Sequence, residues 1–349
     1  MTSVSLESGA VRMNDQRVSQ AVWCDPGPIS WVRISGADAV RFVDSFNTAA
    51  VSRLVDGAGT EGFFTDVRGQ VICMAGLLRC GPDAGEEPAV EIVADGDVGS
   101  LLAEHLERYH IREPIEIADV SADRCTRIVL GAAIEAQLAA LTAAPSPRQL
   151  TTPFDHAELL LAAAEAGGGA EDGDAATISV RLVRCDWAGP DAWLLVGRAE
   201  DAARLEAVLT ACGVSAADPS VWNAARIEAG TPRQCDLLPK TLPQELGRDA
   251  RAISFTKGCY LGQETVARLD ALGHVNRRLM GFAVHSEKVP LVGAAITADG
   301  ETIGNVSSSC YSPKLGKPLV VAMLPVKFAG AASIRVAGDD ARRVDWPVR

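Results

Sequence analysis

The order of patterned segments constrains this chain most. An order of strand, helix, strand, strand and helix occurs roughly twice, and beyond residue 276 only short strands follow. In the first run, residues 30–34 (SWVRI) read as a strand. A helix begins near Ala37, because Ala39, Phe42, Val43 and Phe46 recur at the i, i+3, i+4, i+7 spacing of one buried face. Residues 61–79 read as two strands around a turn at Arg68-Gly69, and 89–94 as a third strand. A second amphipathic helix follows Asp97, with Val98, Leu101, Leu102, Leu106 and Tyr109 on one face. In the second run, strands at 177–185 and 192–197 flank Gly189-Pro190, and helices follow at about 200–212 and 219–229. Asp218 serves the latter helix as N-cap and Pro219 takes its first position. In the last stretch, strands at 278–285, 294–298, 301–308, 318–323 and 332–337 alternate with Gly and Pro turns, which predicts a small β-barrel or sandwich. The whole reads as α+β: two small sheet-plus-helix halves and a C-terminal β-barrel.

Three regions follow from this order: an N-terminal arm at 1–27 with an early strand around Val22 and Trp23, a body at 28–275, and the barrel at 276–349. Inside the body, residues 131–176 are rich in Ala, Pro and Gly beside acidic residues, and they predict long surface loops. A length of 349 residues suits two or three domains, and 48% apolar residues suffice for large cores. The formal charge of −12 argues against a general basic surface for nucleic acid or anionic membrane. With no long apolar run and no apolar core in the first twenty residues, the sequence predicts neither a membrane span nor a secretory leader. The nine cysteines are widely spaced and lack C-x-x-C, which suits reduced thiols in the cytoplasm. No H-E-x-x-H, paired-cysteine zinc pattern, dinucleotide fingerprint or P-loop occurs, so no metal site is expected.

Residues 226–268 carry the chemistry, and they contain Lys257-Gly258-Cys259-Tyr260-Leu261-Gly262-Gln263-Glu264. Two glycines in this run allow unusual dihedrals and a close approach to a ligand. A helix starts at about Gln263, which places Cys259 just ahead of a helix N-terminus, with Lys257 two residues before it. Both features favour the thiolate. Against this stands the ordinary reading of a free cysteine as a small core residue. Tyr260 equally reads as a core aromatic, Gln263 and Glu264 as the helix start, and Arg268 as the i, i+4 partner of Glu264. Arg226 and Glu228 lie about 200° apart on their helix, so at most one enters a given pocket. A carboxylate at the helix end, as at Glu228, works against the dipole and hints at a use. Glu245, after Leu242-Pro243-Gln244, fits a loop or a site equally.

The run KGCYLGQE, preceded by RIEAGTP and LPQE, resembles the YgfZ-type folate-binding proteins of the glycine-cleavage T-protein (aminomethyltransferase) superfamily. Ser35-Gly36-Ala37-Asp38-Ala39 resembles the superfamily's first strand-to-helix turn. Gly304-Asn305-Val306-Ser307-Ser308 and Ser312-Pro313 resemble its barrel signature. The resemblance implies a ring-like, three-lobed α+β body with a central pocket for tetrahydrofolate. It implies a role in assembling or repairing iron–sulfur proteins, with their client enzymes or assembly factors as partners. It also implies indirect links to tRNA modification rather than direct RNA binding. Under it, Glu228 recognises the pterin through paired N–H donors, and Lys257 or a nearby Arg meets the anionic tail. Arg226, Glu245, Tyr260, Gln263 and Arg268 line the folate site, and Cys259, assisted by Lys257, carries the activity as a redox or cluster-transfer thiolate.

The departures from that family bear on turnover. Where T-proteins hold an acidic pair, this chain reads Gly69-Gln70-Val71-Ile72-Cys73-Met74, and the early Asn-Asp-Val element reads Thr48-Ala49-Ala50-Val51. Proton handling at an amine carbon then has no evident agent. The leading expectation is a tetrahydrofolate-binding accessory protein. The alternative is a tetrahydrofolate-dependent aminomethyltransferase or demethylase.

Overall fold

The computed structural model describes residues 21–81, 87–131, 150–162 and 177–348, together with Ile134 and Gln137. Most of the expected loop insertion at 131–176, and residues 1–20 of the expected arm, lie outside the described residues. Three sheets form three lobes.

The first lobe contains β2 (Ile29–Ser35), β3 (Gly59–Thr65), β4 (Val71–Cys80), β5 (Ala89–Asp95) and β6 (Glu116–Asp119) in the order β3-β4-β5-β2-β6. Helices α1 (Ala39–Asp44) and α2 (Gly99–Glu107) cover one face of it. Ala39, Phe42 and Val43 pack with Leu102 and Leu106 on Ile34, Phe64, Leu77 and Ile92, as the periodicity of the segment requires. Leu101 departs from the expected stripe. It is 51% exposed, and His105 takes a buried place instead, because the i, i+4 ladder Val98–Leu102–Leu106 faces the sheet and position 101 lies about 100° off it.

The second lobe contains β1 (Val22–Cys24), β7 (Arg124–Leu130), β8 (His156–Ala162), β9 (Thr177–Arg184), β10 (Ala192–Arg198) and β11 (Ser215–Ala216), ordered β11-β1-β7-β10-β9-β8. Helix α3 (Ala202–Ala211) covers it through Leu205, Val208 and Leu209. Two expectations are corrected here. The early strand expected around Val22 and Trp23 is present as β1, but it belongs to the second lobe rather than to a loose arm, pairing with β7 on one side and β11 on the other. Residues 156–162, expected as loop, form the edge strand β8, with Leu159 and Leu161 buried and Leu160 exposed in strict period two. Just before β8, Phe154 turns at a φ of 69° and inserts its ring between lobes. It fits because a Cβ at Gly76 would lie 2.2 Å from its Cε1, so only glycine leaves the space.

The third lobe is a seven-stranded antiparallel sheet ordered β14-β13-β17-β18-β12-β16-β15. Its strands are β12 (Arg277–Val284), β13 (Ala295–Ala298), β14 (Glu301–Asn305), β15 (Ser308–Ser312), β16 (Lys317–Pro325), β17 (Ile334–Val336) and β18 (Asp339–Val344). The expected strand at 301–308 ends at Asn305, Ser308 already belongs to β15, and β18 was not legible from the alternation. Between the second and third lobes lie α4 (Pro219–Ala229), the short α5 (Asp249–Ala252) and α6 (Gln263–Leu272). Asp218 caps α4 as expected, its carboxylate accepting from the Ser220 amide at 2.8 Å. One core joins all three lobes: Trp31 and Phe63, then Trp187 and Leu194, then Trp222 and Ile227 of α4, then Leu319 and Val321. Among the described residues, no helix is long and apolar enough to cross a membrane.

Glu91 welds the first two lobes. It lies opposite Arg33 in the β2–β5 register and accepts from Arg33 at 3.0 Å, Arg124 at 3.0 Å and Arg181 at 2.5 Å. Burial alone would raise its pKa, but Arg181, Arg124 and Arg33 outweigh burial and hold it below the ordinary carboxylate value. A carboxylate depressed in the folded state stabilises fully above its unfolded pKa and loses that contribution as pH falls through the folded value. Replacing Glu91 by Gln therefore costs about 3–5 kcal/mol near neutral pH, by removing the buried charge that three arginines share. Denaturant unfolding measured from neutral to strongly acidic pH will show the gap between wild type and E91Q closing below the ordinary carboxylate pKa.

Candidate functional site

The segment from α4 to α6 crosses the junction of the lobes and carries almost all the residues singled out in the sequence. At its start, Arg226 is engaged by every donor it has. Nη1 donates to Asp236 at 3.1 Å and to the Thr231 carbonyl at 3.2 Å. Nη2 donates to Ser308 Oγ and Asn223 Oδ1, both at 2.8 Å, and Nε donates to Asn223 Oδ1 at 3.0 Å. Asp236 in turn accepts from Arg226, the Arg233 amide, Ser307 Oγ and Ser308 Oγ. The guanidinium has no N–H left for a ligand. Its expected folate contact is corrected to a structural one.

Glu228 is buried on the same helix. Its Oε1 accepts from the Ser312 hydroxyl and from the Lys314 amide at 3.0 Å. Among the described residues, its Oε2 has the Lys314 ammonium 3.9 Å away and no hydrogen-bond donor. Arg226 and Glu228 thus reach opposite ends of β15, Ser308 and Ser312, about 13 Å apart at the usual strand rise. As the helical angle predicted, they do not share a pocket. The paired pterin contact expected of Glu228 is narrowed, because both lone pairs of Oε1 are taken and Oε2 alone stands open.

The Lys257–Glu264 run is pinned to the first lobe. Lys257 Nζ donates to the carbonyls of Asp44 and Ala49 and, at 2.9 Å, to that of Asn47. It sits 3.4 Å from the Asp44 carboxylate and 5.2 Å from the centre of the Tyr260 ring. Burial brings its pKa down to about 8 against the pull of Asp44. All three ammonium donors are therefore engaged at the C-terminal end of α1, where a cation suits the helix dipole. The expected roles of Lys257, as tail anchor and as aid to Cys259, are corrected to holding this loop. Tyr260 is buried beneath it, and burial pushes its hydroxyl up to about 12. The Leu261 amide donates to the Ser45 carbonyl at 3.0 Å, and Thr65 Oγ1 donates to the Leu261 carbonyl at 2.7 Å.

Gly262 has a φ of 82°, and a Cβ there would lie 2.6 Å from the Asp66 carbonyl and 2.8 Å from Gly69 Cα. Two glycine turns distant in sequence meet backbone to backbone. Gly258 has open space around it and needs no such freedom. Cys259 projects from this pinned loop and is exposed. It stands three residues ahead of α6, whose N-cap is Gly262, so it precedes the first turn rather than sitting on it.

Glu245 accepts from the Leu242 amide at 3.0 Å and from Arg277 at 3.1 and 2.8 Å, so its expected ligand role is likewise corrected to a structural one. Gln263 is half-buried at the start of α6. Arg268 and Glu264 are both exposed, and no ion pair between them is among the contacts of the described residues. No hydrogen bond or ion pair joins Glu228 to Cys259, which are held by the barrel lobe and the first lobe respectively. The sequence reading missed Cys235, which is also exposed and follows Arg233 by two residues, the same cation-ahead pattern used to pick out Cys259. It also missed Ser312 and Lys314, whose roles depend on long-range packing. A cleft of about 410 Å³ in the barrel lobe, lined in part by His285, Lys317, Arg342 and Arg343, contains none of the expected site residues.

Comparison with known proteins bears on this geometry. Residues 277–347 match the glycine cleavage T-protein C-terminal barrel domain. The chain is 30% identical over 175 residues to an aminomethyltransferase of Streptomyces avermitilis, covering 48% of this chain and 47% of that protein. It is 28% identical over 271 residues to an aminomethyltransferase of Geobacillus kaustophilus, covering 72% and 69%. It is 35% identical over 138 residues to the tRNA-modifying protein YgfZ of Aliivibrio fischeri, covering 38% and 43%. The chain thus spans about half the length or less of the first and last of these relatives. The crystal structure of glycine cleavage system aminomethyltransferase T from Bartonella henselae superposes with a TM-score of 0.75 over 94% of this chain and 86% of that one, at 18% identity, which shows the shared fold. The chain is thus similar to YgfZ and to aminomethyltransferases over part of its length, its last strands match the T-protein barrel domain, and its fold is that of a glycine cleavage system aminomethyltransferase T.

Proposed function

We propose that the protein binds tetrahydrofolate at Glu228 and serves as an accessory factor in assembling or repairing iron–sulfur proteins, with Cys259 as its working thiol. The observation that carries the folate reading is the state of the Glu228 carboxylate. It is buried and anchored through Oε1, and Oε2 is left without a hydrogen-bond donor. A ligand N–H that reaches Oε2 gains a charge-assisted hydrogen bond from a carboxylate whose direction is already fixed. A reduced pterin offers such donors, so the donor set fits the group. The contact runs through Oε2, with Ser312 and Lys314 fixing the side chain's direction.

The thiol reading rests on presentation. Lys257 and Tyr260 are buried on either side of Cys259, so the loop is held while the thiol faces outward, as suits a group that meets another protein. Among the described residues, no group of three or more His, Cys, Asp and Glu side chains is placed to hold a metal ion. Cluster sites generally need four protein ligands, so a cluster at Cys259 would be shared with an iron–sulfur client or assembly factor. Methylene transfer has no evident base in the stretch Gly69–Met74. In the stretch where the superfamily carries its acids, Cys73 is fully buried, and burial pushes its thiol up to about 12. The formal charge of −12 also favours an indirect rather than direct link to tRNA.

Glu228→Gln keeps a carbonyl for Ser312 and removes the charge. Calorimetric titration with tetrahydrofolate should show affinity falling about 10- to 100-fold, the size of one charge-assisted hydrogen bond. An unchanged affinity would overturn the site. Cys259→Ala should leave the melting temperature in place, because the side chain is exposed. The same variant should fail to restore iron–sulfur enzyme activity in a strain lacking the protein, and full restoration would remove the thiol from the mechanism.

A further inference from the structure

The last residue of β3 carries a hydroxyl into a place otherwise taken by aromatic rings. Thr65 follows Phe63 and Phe64, and like them it is fully buried. A buried hydroxyl needs a partner, and this one finds it outside its own sheet. Its Oγ1 donates to the Leu261 carbonyl at 2.7 Å. The β3–β4 register explains the reach. Phe64 pairs with Cys73 but Thr65 pairs with Val71, so Ile72 is an extra residue on β4. A β-bulge of this kind increases the local twist and re-aims side chains. At the bulge the 226–268 segment also takes two backbone groups of β4. The Val71 amide donates to the Thr241 carbonyl at 2.8 Å, and Gln234 Nε2 donates to the Ile72 carbonyl at 2.9 Å. Behind Thr65 lies the buried His105 of α2, whose ring donates to the Thr65 backbone carbonyl. Thr65 is thus held from behind and points its one side-chain donor at the loop.

We propose that Thr65 is a positioning residue for the Cys259 thiol: its hydroxyl, aimed by the bulge, fixes the Leu261 peptide and with it the place of the sulfur. The proposal rests on the thiol reading above and deepens it. Leu261 is held on both sides, its amide by the Ser45 carbonyl at 3.0 Å and its carbonyl by Thr65. Lys257 fixes the other end of the run through three carbonyls of the first lobe. Among the described residues, neither Gly258 nor Cys259 makes a hydrogen bond of its own. The sulfur therefore hangs between two fixed points, and Thr65 supplies the one that follows it in the chain. The hydroxyl acts through the peptide and does not touch whatever the thiol meets.

The test replaces Thr65 in the full chain by Val, which keeps the shape and removes the hydroxyl, and by Ser, which keeps the hydroxyl. Hydrogen exchange is read at the Leu261 amide, with the β12 amides as internal standard. T65V should lower protection at Leu261 about tenfold, the yield of one hydrogen bond, and leave β12 unchanged. T65S should stay within about twofold of wild type. In a strain lacking the protein, T65V should restore about a tenth or less of the iron–sulfur enzyme activity that wild type restores, and T65S most of it. Unchanged protection in T65V overturns the proposal, and so does full restoration by T65V despite lost protection. A T65S chain that behaves like T65V also overturns it, because lost packing rather than the lost hydroxyl then explains both. Where T65V loses protection at β12 as well, T65A takes its place and is held to the same outcomes. Full restoration by Cys259→Ala, with exchange in T65V and T65S as expected, overturns the thiol reading and leaves Thr65 as an anchor of the loop alone.

Discussion

The Arg226–Asp236 pair fixes the frame on which everything else hangs. Both partners are almost wholly buried, and taking two charges out of water is expensive unless their remaining donors and acceptors are matched. Here they are: five guanidinium donors have acceptors, and the carboxylate receives four donors, two of them from Ser307 and Ser308 of the barrel lobe. The pair therefore sets the distance and rotation of α4 against β15. The same segment reaches the first lobe through Arg233 to Asp95 at 2.8 Å and through the two-pronged contact of Arg248 with Glu61. It reaches the second through Arg251 to Asp186 at 2.6 Å. Three sheets that share one central core are thereby also tied by polar contacts to one stretch of chain, and that stretch also aims Glu228.

The Lys257–Glu264 loop solves a different problem. A loop that exposes a thiol has little apolar surface to hold it, so its order must come from polar contacts and backbone fit. The Lys257 ammonium closes three carbonyls around the end of α1, and the Gly262–Gly69 contact allows an approach that any side chain would block. These contacts explain why the cation two residues before the cysteine, which looked chemical in the sequence, is mechanical. An ammonium that serves three backbone acceptors cannot also serve a neighbouring sulfur or a ligand carboxylate.

Periodic and local features were legible in the sequence because they are set within a few residues. The Ala39–Phe42–Val43 face, the Arg68-Gly69 turn, the Asp218-Pro219 helix start and the α6 start at Gln263 all appear where spacing placed them. The strand β8 was hidden because its alternation sits inside an Ala- and Gly-rich stretch, and its pairing partner β9 comes fifteen residues later than its own end at Ala162, at Thr177. The site was legible as a set of residues but not as a division of labour. Glu228, at a helix end, and Glu245, in a loop, are equally ambiguous in sequence. Arg277, more than thirty positions away, closes both oxygens of Glu245, whereas Ser312 and Lys314 close only one oxygen of Glu228. Long-range partners decided the roles, and no local pattern encodes them.

The separation of Glu228 from Cys259 has a mechanical consequence for the proposed function. Glu228 is fastened to the barrel lobe through Ser312 and Lys314, and the cysteine loop is fastened to the first lobe through Asp44, Asn47, Thr65 and Gly69. Under the proposed function, the folate anchor and the thiol are then held by different lobes, and the chain between them joins the two. That chain runs through the Arg226–Asp236 pair, the Arg233–Asp95 and Arg248–Glu61 bridges, and the loop itself. Each of these joins two lobes by directional, short-range contacts, which hold or break rather than stretch. Under the proposed function, a ligand that bridges α4 and the barrel at Glu228 adds one more contact to the junction that these pairs hold.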